Sequence, residues 1–159
     1  MPWQDMKMPL RVLVNDLDTP YVYTDFRLEQ VLLVSARLVS SEIQFPVTYT
    51  IDLVGSGISP DPVDTNDTYF TNLTILKAAC LTDRAEARAA TAKGVYIKDG
   101  TATVDTRDFA VNKLQMIEKG KGGYCDAYED AKFEYGIGPN NPARIITGPV
   151  RTIDGFPYT

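Results

Sequence analysis

The chain has 159 residues, of which 44% are apolar and 23% are charged, with two cysteines and no histidine. This length and composition predict one ordinary soluble domain. The absence of histidine removes the histidine-dependent nucleophile systems, the usual general base at neutral pH and the commonest ligand of zinc, iron and copper. The composition therefore argues against most classes of enzyme, and no cofactor or metal is expected.

The charge balance is acidic, with sixteen Lys and Arg against twenty-one Asp and Glu and a formal net charge of −5. Nucleic acid is gripped along its phosphates by clustered Lys and Arg, so this balance argues against such a function. The longest apolar run, residues 31–34, is far short of the ~20 residues of a membrane span, and the N-terminus lacks the pattern of a signal peptide. We therefore expect a protein made and kept in the cytosol, with no membrane partner.

The first strong helical pattern follows Pro20. Thr24 can cap a helix whose first turn carries Asp25, and the pattern runs to about Gln44 before Pro46 ends it. Apolar side chains form two stripes on this helix. The first stripe consists of Leu28, Leu32, Ala36, Val39 and Ile43, and the second of Val31, Val34 and Leu38. Such a helix is either sandwiched within its own domain or shared with a neighbouring subunit, so the second stripe is a candidate subunit interface.

Residues 47–53 alternate apolar and polar side chains and predict an extended segment, followed by a loop rich in glycine and proline. Asp61, Asp64 and Asp67 in this loop could suggest a cation site, but the residue order of a calcium loop is missing. The alternative is that Asn66 or Asp67 caps the next helix while the other carboxylates are solvated.

Three helices and one hairpin are predicted after this loop. The next helix should run to about Lys93, with a bulky apolar first half and an alanine-rich second half. Asp99-Gly100 is a strong turn signal and predicts a hairpin near residues 95–104. Residues 109–117 and 124–135 show helical apolar spacing, and the row of tyrosines in the last helix is expected to be core.

The two cysteines, Cys80 and Cys125, lie far apart and show no Cys-x-x-Cys spacing. Each falls within a predicted helix. Free cysteine behaves as a small buried apolar residue, and disulfides are rare in the cytosol. We therefore expect both to be buried apolar residues without a redox or nucleophilic role.

Paired carboxylates are the one enzymatic scheme that this composition still allows, as in a glycosidase-like hydrolase. Two such pairs are present, Asp16 with Asp18 and Asp105 with Asp108. Neither lies in aromatic or apolar surroundings that would raise the pKa of one member. Catalysis by these pairs is therefore not expected.

The composition changes from residue 137 onward, where glycine and proline are too frequent for a helix. Apolar residues recur in this segment, and an extended arm without its own core is typical of a segment that adds to another chain. The alternative is that the arm folds back on its own domain. The chain is thus divided into a helical body with a hairpin, residues 1–136, and an extended C-terminal arm, residues 137–159.

Six short segments carry a resemblance to a known family. They are Leu10-Arg11-Val12-Leu13-Val14-Asn15-Asp16-Leu17-Asp18, Tyr23-Thr24-Asp25-Phe26-Arg27-Leu28-Glu29-Gln30, Ile58-Ser59-Pro60-Asp61-Pro62, Leu76-Lys77-Ala78-Ala79-Cys80, Ile97-Lys98-Asp99-Gly100 and Tyr124-Cys125-Asp126-Ala127-Tyr128. Together they resemble the head-to-tail connector, or adaptor, proteins of tailed bacteriophages. The resemblance covers most of the chain, from Leu10 to about Tyr135.

This resemblance implies an α+β, mainly helical fold: a helical bundle with a small β-hairpin and an extended arm. It implies a structural virion protein that forms a ring, usually of twelve copies, in the neck between capsid and tail. The ring would sit below the portal, admit DNA through its lumen without sequence-specific binding and receive the next neck or tail protein on its opposite face. Assembly would take place in the host bacterial cytoplasm. The candidate portal-docking residues are Arg144, Ile145, Ile146, Pro149, Phe156 and Tyr158.

Other functions remain open from the sequence. A head-closure or tail-terminator protein of the neck is the nearest alternative, and it predicts a mostly β fold. A carboxylate-based hydrolase predicts a concave site that holds an acid with a raised pKa. A generic binding module predicts a stable monomer.

Overall fold

The computed structural model describes residues 2–92, 96–99, 102–105 and 123–137, and the single helical positions 112 and 115. These residues form a mainly helical fold with two small antiparallel sheets, which confirms the predicted fold class. The elements are a 3-10 helix (Pro2–Met6), α1 (Lys7–Leu13), α2 (Asp25–Glu42), β1 (Thr50–Asp52), β2 (Gly57–Ser59), α3 (Thr68–Ala92), β3 (Tyr96–Asp99), β4 (Ala102–Asp105) and α4 (Tyr124–Ile137).

Helices α2 and α3 begin where their capping residues predict. Thr24 precedes α2, and its Oγ1 accepts a hydrogen bond from the backbone N–H of Arg27 at 3.3 Å. Asp67 precedes α3, and its Oδ1 accepts one from the backbone N–H of Phe70 at 3.0 Å. Each bond satisfies a donor of the first turn that has no partner within the helix. The capping interpretation of Asp67 is therefore confirmed.

Helix α3 lies at the centre of the fold, because it packs against α1, α2 and α4. Aromatic rings close the core at the start of α3, where Tyr49 stacks on Phe70 with ring centroids 3.9 Å apart. Tyr128 and Tyr135 of α4 are buried, which confirms that the tyrosine row is core. The first stripe of α2 is also buried, as predicted: Leu28, Leu32, Ala36, Val39 and Ile43.

Two parts of the fold were not predicted. The N-terminal 3-10 helix and α1 contribute Trp3, Met6 and Leu10 to the core. Residues 57–59, which the sequence assigns to a loop, form β2 and pair with β1 so that Ile51 lies opposite Ile58. Both strands have three residues, which is too short for an alternating pattern to be distinctive.

The second hairpin forms with a different turn from the one predicted. Asp99 pairs with Ala102, so the two positions of the loop are 100 and 101 rather than 99 and 100. The predicted helix over residues 109–117 lies outside the described residues, except for positions 112 and 115. The C-terminal arm also lies outside them, except for Ile137, the last residue of α4.

Candidate interaction surface

An apolar groove of about 290 Å³ lies between the N-terminal half of α2 and the C-terminal half of α3. Val31 and Val34 line it from α2, Leu81 and Ala85 line it from α3, and Tyr23 lies in its wall. Ala85 contributes only a methyl group to the α3 wall, and a methyl group does not fill the space that a larger residue would occupy. Apolar surface of α2, including Val34, is left uncovered.

The three predicted interface residues differ in their placement. Val31 and Val34 both line the groove, and Val34 is 44% exposed. Val31 is half-buried and also packs against the core. Leu38 is half-buried and does not line the groove. The second stripe of α2 is therefore divided between the core and the surface, and only Val31 and Val34 line the groove together.

Tyr23 forms a fixed wall of the groove. Its hydroxyl donates a hydrogen bond to Glu86 of α3, and the Arg27 guanidinium carbon lies 5.0 Å from the centre of its ring. Burial and the bond to Glu86 raise the pKa of Tyr23 well above its usual value. The hydroxyl is therefore a proton donor at neutral pH, and this contact links the start of α2 to α3.

A buried ion pair holds Tyr23 and the start of α2 in place. Nη1 of Arg11 donates to Oδ2 of Asp16 at 2.5 Å, and Nη2 donates to the Tyr23 carbonyl at 3.0 Å and to Oδ1 of Asp25 at 2.5 Å. Asp16 also accepts from the backbone N–H groups of Val22 and Tyr23. Charges are tolerated in protein interiors when they are paired and hydrogen-bonded in this way. We call Arg11, Asp16, Tyr23 and Asp25 the Arg11 cluster.

The sequence signal that could have revealed this cluster is the asparagine that follows α1. Asn15 has a φ of 54°, a left-handed conformation that asparagine tolerates. Its N–H bonds to the Val12 carbonyl, and the N–H of Asp16 bonds to the Arg11 carbonyl. This pattern is the Schellman motif, a common end of helices. It ends α1 and brings the backbone of Asp16 back against that of Arg11.

The structure describes one of the two carboxylate pairs, Asp16 with Asp18, and places its members in different environments. Asp16 is buried against Arg11, whereas Asp18 is exposed. Asp105 ends β4, and Asp108 lies outside the described residues. In the part of the chain that the structure describes, no group of three or more acidic or cysteine side chains is placed to hold a metal ion.

A second polar cluster fixes the other end of α2. The Glu42 carboxylate accepts hydrogen bonds from Lys77 Nζ at 2.7 Å, the Tyr128 hydroxyl at 2.8 Å and Lys132 Nζ at 2.9 Å. Burial acts to raise the pKa of Glu42, but the three hydrogen bonds together outweigh it and lower the pKa to about 2. One carboxylate thus joins α2 to α3 and α4. We call these four residues the Glu42 cluster.

The expectation of two unpaired cysteines is wrong. Cys80 of α3 and Cys125 of α4 form a disulfide, with their Cα atoms 4.7 Å apart. Both residues do lie in helices, and Cys80 is buried, as predicted. They are 45 positions apart in the sequence. Their spacing therefore carries no signal, and only the packing of α4 on α3 brings them within bonding distance.

The candidate portal-docking residues lie outside the described part of the chain: Arg144, Ile145, Ile146, Pro149, Phe156 and Tyr158. No protein-family model, no curated protein and no solved structure matches the chain. Within the described ranges, no helix has both the length and the apolar character needed to cross a membrane.

Proposed function

We propose that the chain is a structural subunit of a phage neck, a head-to-tail connector that forms a ring below the portal. The observation that carries this proposal is the partly exposed apolar stripe of α2, where Val31 and Val34 line a groove on a helical body. Each copy in a closed ring needs two complementary patches, and the groove can supply one of them. The similarity of the six quoted segments to connector proteins supports the same function.

In this proposal the ring has twelve copies and joins the portal to the next neck or tail protein. DNA passes through its lumen without sequence-specific binding. The net charge of −5 supports this role, since an acidic wall repels the phosphate backbone. The C-terminal arm is the portal contact, and the protein has a structural rather than a catalytic role in the virion neck after assembly in the bacterial cytoplasm.

Electron microscopy of the purified protein mixed with the portal ring of the same virus tests the proposal. We expect rings stacked on the portal, with the same rotational axis. A mixture in which portal rings remain bare would contradict a connector function. Turnover of a substrate by the purified protein would favour an enzyme instead.

Truncation after Gly138 tests the role of the arm. The truncated chain retains every described residue, so we expect it to fold but no longer to join portal rings. In the full chain, Ile145→Ser combined with Ile146→Ser should have the same effect. The neighbouring Thr147→Ser is the matched control, because it keeps both size and polarity. Portal binding that survives truncation unchanged would refute the arm as the docking element.

The alternatives receive less support from the described residues. A head-closure or tail-terminator role predicts a mostly β fold, whereas these residues are mainly helical. Circular dichroism of the whole chain extends this test to the remaining residues. A hydrolase needs an acid with a raised pKa, whereas the hydrogen bonds of Glu42 and Asp25 lower the pKa of each.

A further inference from the structure

The tip of the β1–β2 hairpin presents two apolar side chains to solvent. Val54 is 98% exposed and Leu53 is 52% exposed. The turn that carries them is defined by Asp52, whose Oδ1 accepts hydrogen bonds from the N–H groups of Val54 at 2.9 Å and Gly55 at 2.8 Å. The turn therefore holds a small apolar patch in solvent, where another chain could bury it.

The sequence segment that carries this tip is acidic. Residues 43–76 contain no Lys, Arg or Glu. They contain four aspartates, Asp52, Asp61, Asp64 and Asp67. This segment therefore carries a formal charge of −4 within a chain of net charge −5. Its partner should combine an apolar recess with basic residues.

The groove between α2 and α3 has this combination. Glu86 accepts a hydrogen bond from the Tyr23 hydroxyl in its wall, and four arginines flank it, namely Arg27, Arg37, Arg84 and Arg88. Arg27 lines the groove. Arg37, Arg84 and Arg88 each lie three positions after a residue that lines it, which places each of them on the same side of its helix. Among the described residues, none of the four forms a salt bridge. Arginine is well suited to interface ion pairs, because its guanidinium is weakly hydrated.

We propose that the Leu53–Val54 tip of one copy inserts into the α2–α3 groove of the next copy and forms the subunit contact of the ring. This inference rests on the proposed ring-forming function and names the two surfaces that meet. Apolar side chains enter an apolar recess, and the acidic segment of one copy faces the four arginines of the other. The groove, at about 290 Å³, is small for a drug-sized ligand and suits a few side chains.

The tip does not reach the groove of its own chain. The residue before β1, Tyr49, stacks on Phe70 at the start of α3, whereas the groove lies near Ala85. A rise of 1.5 Å per residue separates Phe70 from Ala85 by about 22 Å. Three-residue strands extend only about 10 Å. A tip at one end and a groove at the other therefore make a head-to-tail contact, which generates a ring when the rotation closes.

Sedimentation of the full chain up to millimolar concentration tests this contact. Val54→Asp places a charge on the tip and Val34→Glu places one in the groove, and each should weaken association about tenfold or more. Val12→Glu is the matched control, because Val12 is a helical valine that is 52% exposed on α1. It should change association less than about twofold. All three positions are exposed, so the urea midpoint of each variant should stay close to that of the wild type.

A charge-pair rescue tests whether the two surfaces touch. Val34→Lys alone should weaken association about tenfold. Combined with Val54→Asp in one chain, it should restore most of the lost affinity, because the two new charges then face each other across the contact. A double variant that associates no better than the weaker single variant would overturn the proposal.

The contact and the connector function can fail separately. Association that Val54→Asp and Val34→Glu leave unchanged overturns the tip-in-groove contact, while stacking on portal rings would still support the connector. Association that both variants abolish supports the contact, even if bare portal rings contradict the connector. A wild-type chain that stays monomeric at millimolar concentration overturns the contact.

Discussion

The two polar clusters that hold α2 differ in the sign of their central charge and in their exposure to water. At the N-terminal end the central charge is Arg11, and both it and Asp16 are almost completely buried. At the C-terminal end the central charge is Glu42, whose side chain is 29% exposed. Both clusters join elements that are distant in sequence, so each fixes the position of one end of the same helix.

The difference in exposure determines what each cluster contributes. When one partner of a buried ion pair is removed, the other is left without either a partner or water, which costs several kcal/mol. Water screens the charges of a partly hydrated cluster, so removal of one partner costs less stability there. The Arg11 cluster is therefore the stronger anchor. The contribution of the Glu42 cluster follows the pH, because the pKa of Glu42 differs between the folded and the unfolded chain.

Removal of the buried cation should have the largest effect. Arg11→Met keeps an unbranched aliphatic stem but removes the guanidinium, so Asp16 stays buried without its cationic partner. We expect a loss of about 3 to 5 kcal/mol in the free energy of unfolding, measured by urea denaturation. Arg37→Met is the control, since Arg37 is exposed, and it should cost less than about 0.5 kcal/mol. Equal effects of the two substitutions would show that the buried ion pair contributes no more to stability than an exposed arginine does.

The next largest effect should come from the disulfide, which ties together the two helices that supply the donors of Glu42. Reduction of the Cys80–Cys125 bond releases a loop between residues 45 positions apart. We expect the wild type to lose about 2 to 4 kcal/mol of stability when a dithiol reductant is added. The double variant Cys80→Ser, Cys125→Ser should start at the reduced level and not respond to the reductant. A wild type that is equally stable with and without reductant would contradict the pairing.

Neutralising the half-exposed carboxylate should have a smaller effect that depends on pH. The pKa of Glu42 is about 2 in the folded chain, below its ordinary value of 4.5, so its contribution is complete above pH 4.5 and is lost as the pH falls toward 2. We expect Glu42→Gln to cost about 2 to 3 kcal/mol at pH 7 and much less near pH 2. Urea denaturation across this range measures it. A constant cost at every pH would show that the charge of Glu42 contributes nothing.

Loss of the cap of α2 should have the smallest effect. Thr24→Ala removes the acceptor of the Arg27 N–H at the same end as the Arg11 cluster, and it should cost about 1 kcal/mol. Thr24→Ser retains a hydroxyl and should remain close to the wild type. Thermal denaturation of both variants measures the contribution of the cap to stability separately from that of the Arg11 cluster. A cost for Thr24→Ala as large as that of Arg11→Met would indicate that the cap, not the ion pair, holds this end.

Several helices could be predicted closely because their signals are local. The pattern from Thr24 to about Gln44 predicted α2, which spans Asp25–Glu42, and Asp67 was among the predicted caps of α3. The tyrosine row predicted the buried face of α4. In each case the cap or the helical periodicity involves residues only a few positions apart, so it can be recognised in the amino-acid sequence.

The elements that were missed depend on partners elsewhere in the fold. The strand β2 is defined by its pairing with β1, and three residues that include Gly57 carry little strand signal of their own. The sequence pairs Asp16 with Asp18 and does not show that Arg11 lies against Asp16. The sequence also does not show that the two cysteines pair, since the distance between them depends on how α4 packs on α3.

The sequence by itself determined that this chain forms a mainly helical body, that α2 has a second apolar stripe, and that no histidine chemistry is available. Only the tertiary structure decided that Val31 and Val34 of this stripe line a groove, whereas Leu38 does not. The physical reason is that a groove is the space left between two helices, and its shape depends on the residues of α3 that lie opposite α2. The pattern along one helix shows which faces are apolar, and the neighbouring helix decides which of them remain open.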